Sequence, residues 1–197
     1  NANLAAAFGP VEGLSGEIRF TDLIGLVTAP GQEVRLRTVN PGVEVRDGED
    51  AVVQVLEASH ILIATGSTPR SLPGIEIDGE RIISSRQAMV LESLPSDILI
   101  VGAGAIGVEF AYFFNAFGSR VTLLESLPQI LPREDGEAAE ALRASLERQG
   151  VAIETDTRVQ GIQVQSDGVH VDFETPAGKR EATVERVLMA VGVIALV

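Results

Sequence analysis

The six residues Gly102-Ala103-Gly104-Ala105-Ile106-Gly107 follow the apolar run Ile98–Val101 and open a long apolar stretch, after which a β-rich run ends on Glu125. Strand, glycine turn, helix, second strand and acid, in that order, are suited to holding the pyrophosphate and ribose of a dinucleotide. Each position has its own physical task. Gly102 allows a tight turn off the strand, because without a Cβ it takes backbone angles closed to other residues. Gly104 leaves room for a pyrophosphate to approach the backbone, where the free N–H groups at Ala105 and Ile106 and the positive helix end favour an anion. Gly107 lets the helix lie close on the sheet.

Glu125 selects the dinucleotide. It lies 23 residues beyond Gly102, at the end of the second strand, where a carboxylate can accept both hydroxyls of the adenosine ribose. A 2′-phosphate there would meet a fixed negative charge, and Ser126-Leu127-Pro128-Gln129-Ile130 offer no Arg or Lys to receive it. NAD(H) is therefore expected over NADP(H).

Other chemistry is sparse. The 197 residues include no cysteine, which excludes disulfides, thiolate metal sites and thiol redox chemistry from this chain. His60 and His170 are far apart and neither has a spaced Cys or His partner, so no metal site is expected; His60 reads as a packing residue at a strand start and His170 as part of an exposed strand face. No residue of the chain is assigned a catalytic role. A formal charge of −13, from 28 acidic and 15 basic residues, opposes binding to nucleic acid or an anionic membrane. With 45% hydrophobic residues and no long uncharged apolar run, a soluble globular protein is expected, with no membrane span and no signal peptide.

The elements that must position the glycine turn can be read around it. Val108–Phe117 is apolar on almost every side apart from Glu109 and Asn115, so it predicts a buried helix, with Gly118 as its stop. Arg120–Leu124 reads as a strand covered on both faces. A second helix is expected from the N-cap Asp135 to Gln149, stopped by Gly150, with Ala138, Ala139, Leu142 and Leu146 as its buried stripe and Arg143 and Glu147 paired on the outer side. Val151–Glu154 would be a third parallel strand. Val159–Val164 and Val169–Phe173 read as a hairpin around Ser166-Asp167-Gly168, and Val187–Val191 as a returning strand ended by Gly192.

Upstream, a short helix is expected over Asn3–Phe8. Alternating pairs such as Ile18/Phe20, Val34/Leu36, Val43/Val45 and Val53/Val55, separated by Pro30-Gly31, Asn40-Pro41-Gly42 and Asp47-Gly48, predict a β-meander. Ile61–Ala64 reads as an apolar strand stopped by Thr65-Gly66-Ser67-Thr68-Pro69. Arg70–Asp97 reads as a connector with a short helix over Ser85–Leu91.

Several of these segments together resemble the pyridine-nucleotide-binding region of the flavoprotein disulfide reductases (class I pyridine nucleotide-disulfide oxidoreductases), and within them the dihydrolipoamide dehydrogenase branch. The resemblance is carried by His60–Ser67, by Leu94-Pro95 leading into Ile98–Phe110, by Leu124-Glu125, by Ile130-Leu131-Pro132 with Asp135, and by Val187–Gly192. It spans roughly two thirds of the chain, and the motifs are specific when they occur together.

The resemblance implies an α/β, Rossmann-like FAD/NAD(P)-binding fold with a parallel sheet plus a β-meander. By position it implies that Ala64, Thr65, Gly66 and Ser67 close an FAD domain and touch the flavin side. It puts Glu109 near the nicotinamide, Val159 on the adenine, and Gly192 beside the nicotinamide pocket. A purely structural role for Glu109, as a buried-helix carboxylate paired with a cation, stands beside that one. The implied domains are residues 1–70 as the end of an FAD domain, 71–95 as a connector, 96–193 as the NAD domain, and 194–197 as the start of a return to the FAD domain.

The implied activity is hydride transfer between NAD(H) and FAD, coupled to dithiol/disulfide exchange on lipoamide, within a homodimer serving a lipoamide-bearing multienzyme complex in the cytoplasm or mitochondrial matrix. The N-terminal FAD fingerprint, the redox cysteine pair and the C-terminal acid–base residues of such enzymes are not in this sequence, and Leu196 stands where an Asn is expected. The chain is therefore expected to be a piece of a larger flavoprotein, inactive alone. NADH oxidases, mercuric reductases and ferredoxin reductases share much of the pattern, and a non-catalytic dinucleotide-binding module is the reading from a different class.

Overall fold

A computed structural model describes residues 17–20, 34–39, 42–47, 49, 51–57 and 66–195. The expected helix Asn3–Phe8, the strand Ile61–Ala64 with His60, the FAD-side residues Ala64 and Thr65, and Leu196 lie outside the described residues. The chain divides into two compact units, residues 1–67 with 195–197, and residues 68–194.

The first unit holds a four-stranded antiparallel sheet in sequence order: β1 (Glu17–Phe20), β2 (Val34–Val39), β3 (Gly42–Asp47) and β4 (Val52–Glu57). This is the meander that the alternating runs predict. Val39 pairs with Gly42 where β2 meets β3, and the register shifts once between β3 and β4 at Val45/Arg46. The short strand β5 (Ser67–Pro69) follows.

The second unit is built on five parallel strands. In chain order its elements are β6 (Ile82–Ser84), helix α1 (Ser85–Ala88), β7 (Asp97–Val101), α2 (Ala105–Ala116), β8 (Arg120–Leu124), α3 (Gly136–Arg148) and β9 (Ala152–Glu154). There follow β10 (Arg158–Gln165), β11 (Gly168–Thr175), β12 (Gly178–Val184), β13 (Arg186–Met189) and β14 (Val193–Ala195), the last pairing with β5. The parallel sheet has the order β6-β13-β7-β8-β9, and β10-β11-β12 form a separate antiparallel sheet.

Strand period explains the layers, because successive side chains point to opposite faces. Ile98 and Ile100 of β7, with Val121 and Leu123 of β8, pack under Val108, Ala111 and Phe114 of α2 and under Ala139 and Leu146 of α3. Leu99, Val101 and Leu124 face the other way, against Val169, Val171 and Phe173 of β11. Helices cover one face and the antiparallel sheet the other, which is why the parallel strands are apolar at nearly every position.

Five expectations are corrected by this packing. Helix α2 is not buried all round: Tyr112, Phe113 and Phe117 are 55%, 41% and 64% exposed. A helix lying on one sheet can bury only one stripe, and an all-apolar sequence does not mark which stripe that is. Its start is also earlier than Val108, because the glycine turn feeds directly into Ala105. Ala138 is exposed and lies outside the buried stripe of α3, whereas Ala139 and Leu146 are buried and Leu142 half-buried. The stretch 71–95, expected as a connector, supplies the edge strand β6, and its helix is the single turn α1, capped by Ser84 and Gln87. Finally, β12 extends the expected hairpin to three strands; its charged sequence carries little strand signal and is held by pairing with β11.

The predicted stops and caps are present. Gly118 and Gly150 take φ of +97° and +102°. Asp135 accepts from Glu137 N at 3.0 Å and Ala138 N at 3.1 Å, and Arg143 Nε donates to Glu147 Oε1 at 3.0 Å.

A polar knot closes the amino end of the parallel sheet. Asp97 Oδ1 accepts from Glu185 N at 2.7 Å, Oδ2 accepts from Arg120 at 2.9 Å and from Ser96 Oγ at 3.2 Å, and Ser96 N donates to Glu185 Oε2 at 2.8 Å. Partial burial pushes the Asp97 pKa up, but the Glu185 N–H and the Arg120 and Ser96 donors outweigh it, and the carboxyl titrates below the ordinary Asp range. A depressed folded-state pKa contributes stability above the unfolded value of about 3.9 and loses it as pH falls through the folded value. Asp97→Asn is therefore expected to be less stable than wild type at pH 7 in urea melts, with the gap narrowing as pH falls below the unfolded value of about 3.9; a gap that does not change with pH would remove Asp97 as its source.

Candidate functional site

The site lies at the carboxyl ends of β7, β8 and β13. The chain leaves β7 toward β8 on one side while β13 lies on the other, and a crevice at such a switch point is where doubly wound sheets bind ligands. The crevice is a cleft of about 840 Å³, within the roughly 300–1,000 Å³ of small-molecule and cofactor sites.

Its floor is the glycine turn. Gly102 N donates to Leu124 O at 2.8 Å and Ala190 N to Val101 O at 2.8 Å, tying the three strand ends together. Gly102 has φ +100°, and a Cβ there would lie 2.6 Å from Ala190 O, so both backbone conformation and space require glycine. A Cβ on Gly107 would run into the Gly102 carbonyl oxygen and come within 3.5 Å of Ala190 Cβ. That close approach is between the helix and its own turn, a tighter constraint than the helix–sheet contact expected from sequence.

Gly104 differs from both. It is the N-cap of α2, without a side-chain cap, and a Cβ there would meet nothing within 4 Å. The space its missing side chain leaves is open cleft. The first-turn N–H groups of α2 have no intrahelical acceptor, and an anion in that space satisfies them.

Glu125 is 7% exposed and sits at the mouth of the turn. Oε2 accepts from Ala103 N at 2.7 Å; Oε1 accepts from Leu127 N at 3.0 Å and Ser126 Oγ at 3.1 Å. An ionised carboxylate has about four acceptor positions, so one remains for a ligand. Sequence reasoning placed Glu125 at the ribose; the bond to Ala103, which makes it also a brace for the glycine turn, was not legible there.

Of the other expected site residues, Ala105, Ile106, Val159 and Gly192 line the same cleft as Gly102, Gly104 and Glu125. Gly192 has φ +103° and its carbonyl accepts from Arg70 N at 2.9 Å. Glu109 does not line the cleft. It is exposed on α2 with no side-chain partner among the described residues, which is not the buried, paired carboxylate of the structural alternative. Gly66 has φ +84° and Ser67 opens β5. His170 is not among the cleft-lining residues and bonds Asp167 at 2.9 Å; that hydrogen bond holds the Asp167 carboxyl below its ordinary range. No cluster of three or more potential metal ligands occurs among the described residues.

The structure adds residues that the sequence did not mark. Arg70, Arg133 and Arg158 line the cleft, and all three lie outside the 126–130 segment in which a cation was sought. The 131–134 turn is drawn to the site because Leu131 N donates to Ala103 O at 2.7 Å, with Leu131 at φ +46°. Thr157 N donates to Glu125 O at 2.8 Å and brings Arg158 beside the acid.

The family model for pyridine nucleotide-disulphide oxidoreductases matches residues 8–196. A dihydrolipoyl dehydrogenase of Chlorobaculum tepidum is 40% identical over 145 residues, which are 73% of this chain and 31% of that protein. Among solved structures, LpdA of Mycobacterium tuberculosis has a TM-score of 0.63 at 29% identity, covering 90% of this chain and 35% of that one. The flavoprotein disulfide reductase RclA of Escherichia coli has a TM-score of 0.61 at 31% identity, covering 77% and 34%. The chain thus spans about a third of the length of the relatives it matches. A Rossmann-like crevice floored by a glycine turn, the family match along almost the whole sequence and these relatives lead to one conclusion: the chain belongs to the pyridine nucleotide-disulphide oxidoreductases.

Proposed function

We propose that residues 96–193 are the NAD(H)-binding domain of a dihydrolipoamide dehydrogenase-like flavoprotein, which passes hydride between NAD(H) and FAD and exchanges electrons with lipoamide. The observation that carries the NAD reading is the Gly104–Glu125 pair: an open anion-binding helix end, with a buried carboxylate beside it to meet the adenosine ribose. When bound, NAD(H) supplies the hydride chemistry. The chain's own residues bind and orient it: first-turn N–H groups of α2 on the pyrophosphate, Glu125 on the ribose, and Val159 against the adenine. Gly192, just past the carboxyl end of β13 on the other side of β7, then borders the nicotinamide.

FAD enters this reading through Ala64–Ser67 and the family, as do residues 1–70 as part of an FAD domain, the lipoamide-bearing complex, a homodimer, and the cytoplasm or mitochondrial matrix. The dihydrolipoyl dehydrogenases among its relatives, at 37–40% identity, favour lipoamide over the substrates of other branches.

The test is a fluorescence titration. The chain has no tryptophan, so NADH emission can be followed without an overlapping indole signal. Saturable NADH binding, tighter than NADPH, is the expected result. No binding of either nucleotide at millimolar concentration would overturn the dinucleotide reading, and tighter NADPH binding would overturn the role of Glu125.

A further inference from the structure

Among the described residues of the second unit, the cleft gathers most of the arginines that lack a partner. Acidic residues outnumber basic ones 28 to 15, so a cation has abundant partners. Arg120, Arg143 and Arg180 each take one, at Asp97, Glu147 and Glu154. Among the described residues of the second unit, Arg70, Arg133, Arg148, Arg158 and Lys179 have side chains with no hydrogen-bond or ion-pair partner, and three of these five, Arg70, Arg133 and Arg158, line the dinucleotide cleft. Cations left unpaired in an acidic chain and gathered at one crevice point to an anionic ligand.

Backbone bonds locate them along the cleft. Arg133 follows Leu131, whose N–H is held by the glycine turn at Ala103 O, and Arg158 follows Thr157, whose N–H is held by Glu125 O. Arg70 lies at the other end, bonded through its own N–H to Gly192 O. Two lining arginines therefore sit next to residues bonded to the glycine turn and to Glu125, in the half of the cleft that contains the open helix end and the ribose acid.

We propose that Arg133 and Arg158 are positioning residues that bind the pyrophosphate of the dinucleotide, supplementing the backbone N–H groups of the glycine turn. The inference rests on the dinucleotide reading above. A guanidinium matches phosphate oxygens with two parallel N–H donors, and an exposed one adds attraction that salt screens. Their pull on phosphate also separates two recognition tasks: the arginines hold charge, while Glu125 reads the ribose hydroxyls.

The experiment compares adenosine, ADP, NADH and NADPH binding to the wild-type chain, to R133Q/R158Q, and to R148Q, whose unpaired arginine is outside the cleft. The double variant is expected to bind ADP and NADH about tenfold more weakly and with a shallower salt dependence, with adenosine affinity and thermal stability unchanged; R148Q should match wild type. Unchanged ADP affinity, or an equal loss for adenosine, overturns the assignment. A loss confined to NADPH also overturns it, since the arginines would then read a 2′-phosphate. Failure of the wild type to bind NADH or ADP at all defeats the dinucleotide reading itself, whereas normal wild-type binding with indifferent variants defeats only the arginine role.

Discussion

Gly107→Ala is expected to abolish NADH binding and to destabilise the second unit by about 3 kcal/mol or more, the upper range for overpacking. The added methyl points into the Gly102 carbonyl oxygen, and that group is backbone: it cannot rotate away as a side-chain tip would. Its own position is set by the bond from Gly102 N to Leu124 O, so relief would have to pull the turn off the ends of β7 and β8. Gly104→Ala is the informative contrast. Its methyl meets nothing within 4 Å, so a urea melt should shift by no more than about 1 kcal/mol, the usual difference between Gly and Ala at an N-cap. The same methyl would occupy the space assigned to the pyrophosphate, and NADH affinity should fall at least tenfold. A Gly104→Ala protein that binds NADH normally would show that the ligand does not approach the backbone there.

Glu125→Ala is expected to reduce NADH affinity by about 5- to 150-fold, the equivalent of about 1–3 kcal/mol for a charge-assisted hydrogen bond. It should also lower the stability of the ligand-free chain by a similar amount. Ala103 is fully buried, and removal of the carboxylate strips its N–H of an acceptor. The two losses are separable: urea melts without nucleotide report the brace, and titration of the folded variant reports the ribose contact. Glu125→Gln should not rescue either one fully, because an amide offers a single acceptor oxygen while backbone donors approach both Oε1 and Oε2. Unaltered NADH affinity in the alanine variant would restrict Glu125 to its structural role.

The site was legible in the sequence where its chemistry depends on local order along the chain. Gly102, Gly104 and Glu125 belong to one strand–helix–strand unit, and such a unit has few ways to fold, so their meeting at one cleft follows from spacing. Arg133 and Arg158 were not legible, because what brings them to the cleft is a pair of backbone hydrogen bonds, Leu131 to Ala103 and Thr157 to Glu125, between segments far apart in the chain. Glu109 shows the reverse case. The resemblance alone marked it as a site residue, and its side chain lies on the exposed face of α2, outside the cleft lining.

The same division runs through the fold. The sequence alone determined that this chain has a meander, a glycine-turn unit and a run of parallel strands, since those depend on turn residues and on a period of two or 3.6. Tertiary structure decided which face of α2 meets the sheet, leaving Tyr112, Phe113 and Phe117 in solvent, and it recruited Ile82–Ser84 and the charged Gly178–Val184 as strands. A pattern of apolar residues states how much surface must be buried; only the packing partner, here β7, β8, β11 and β13, determines which surface it is.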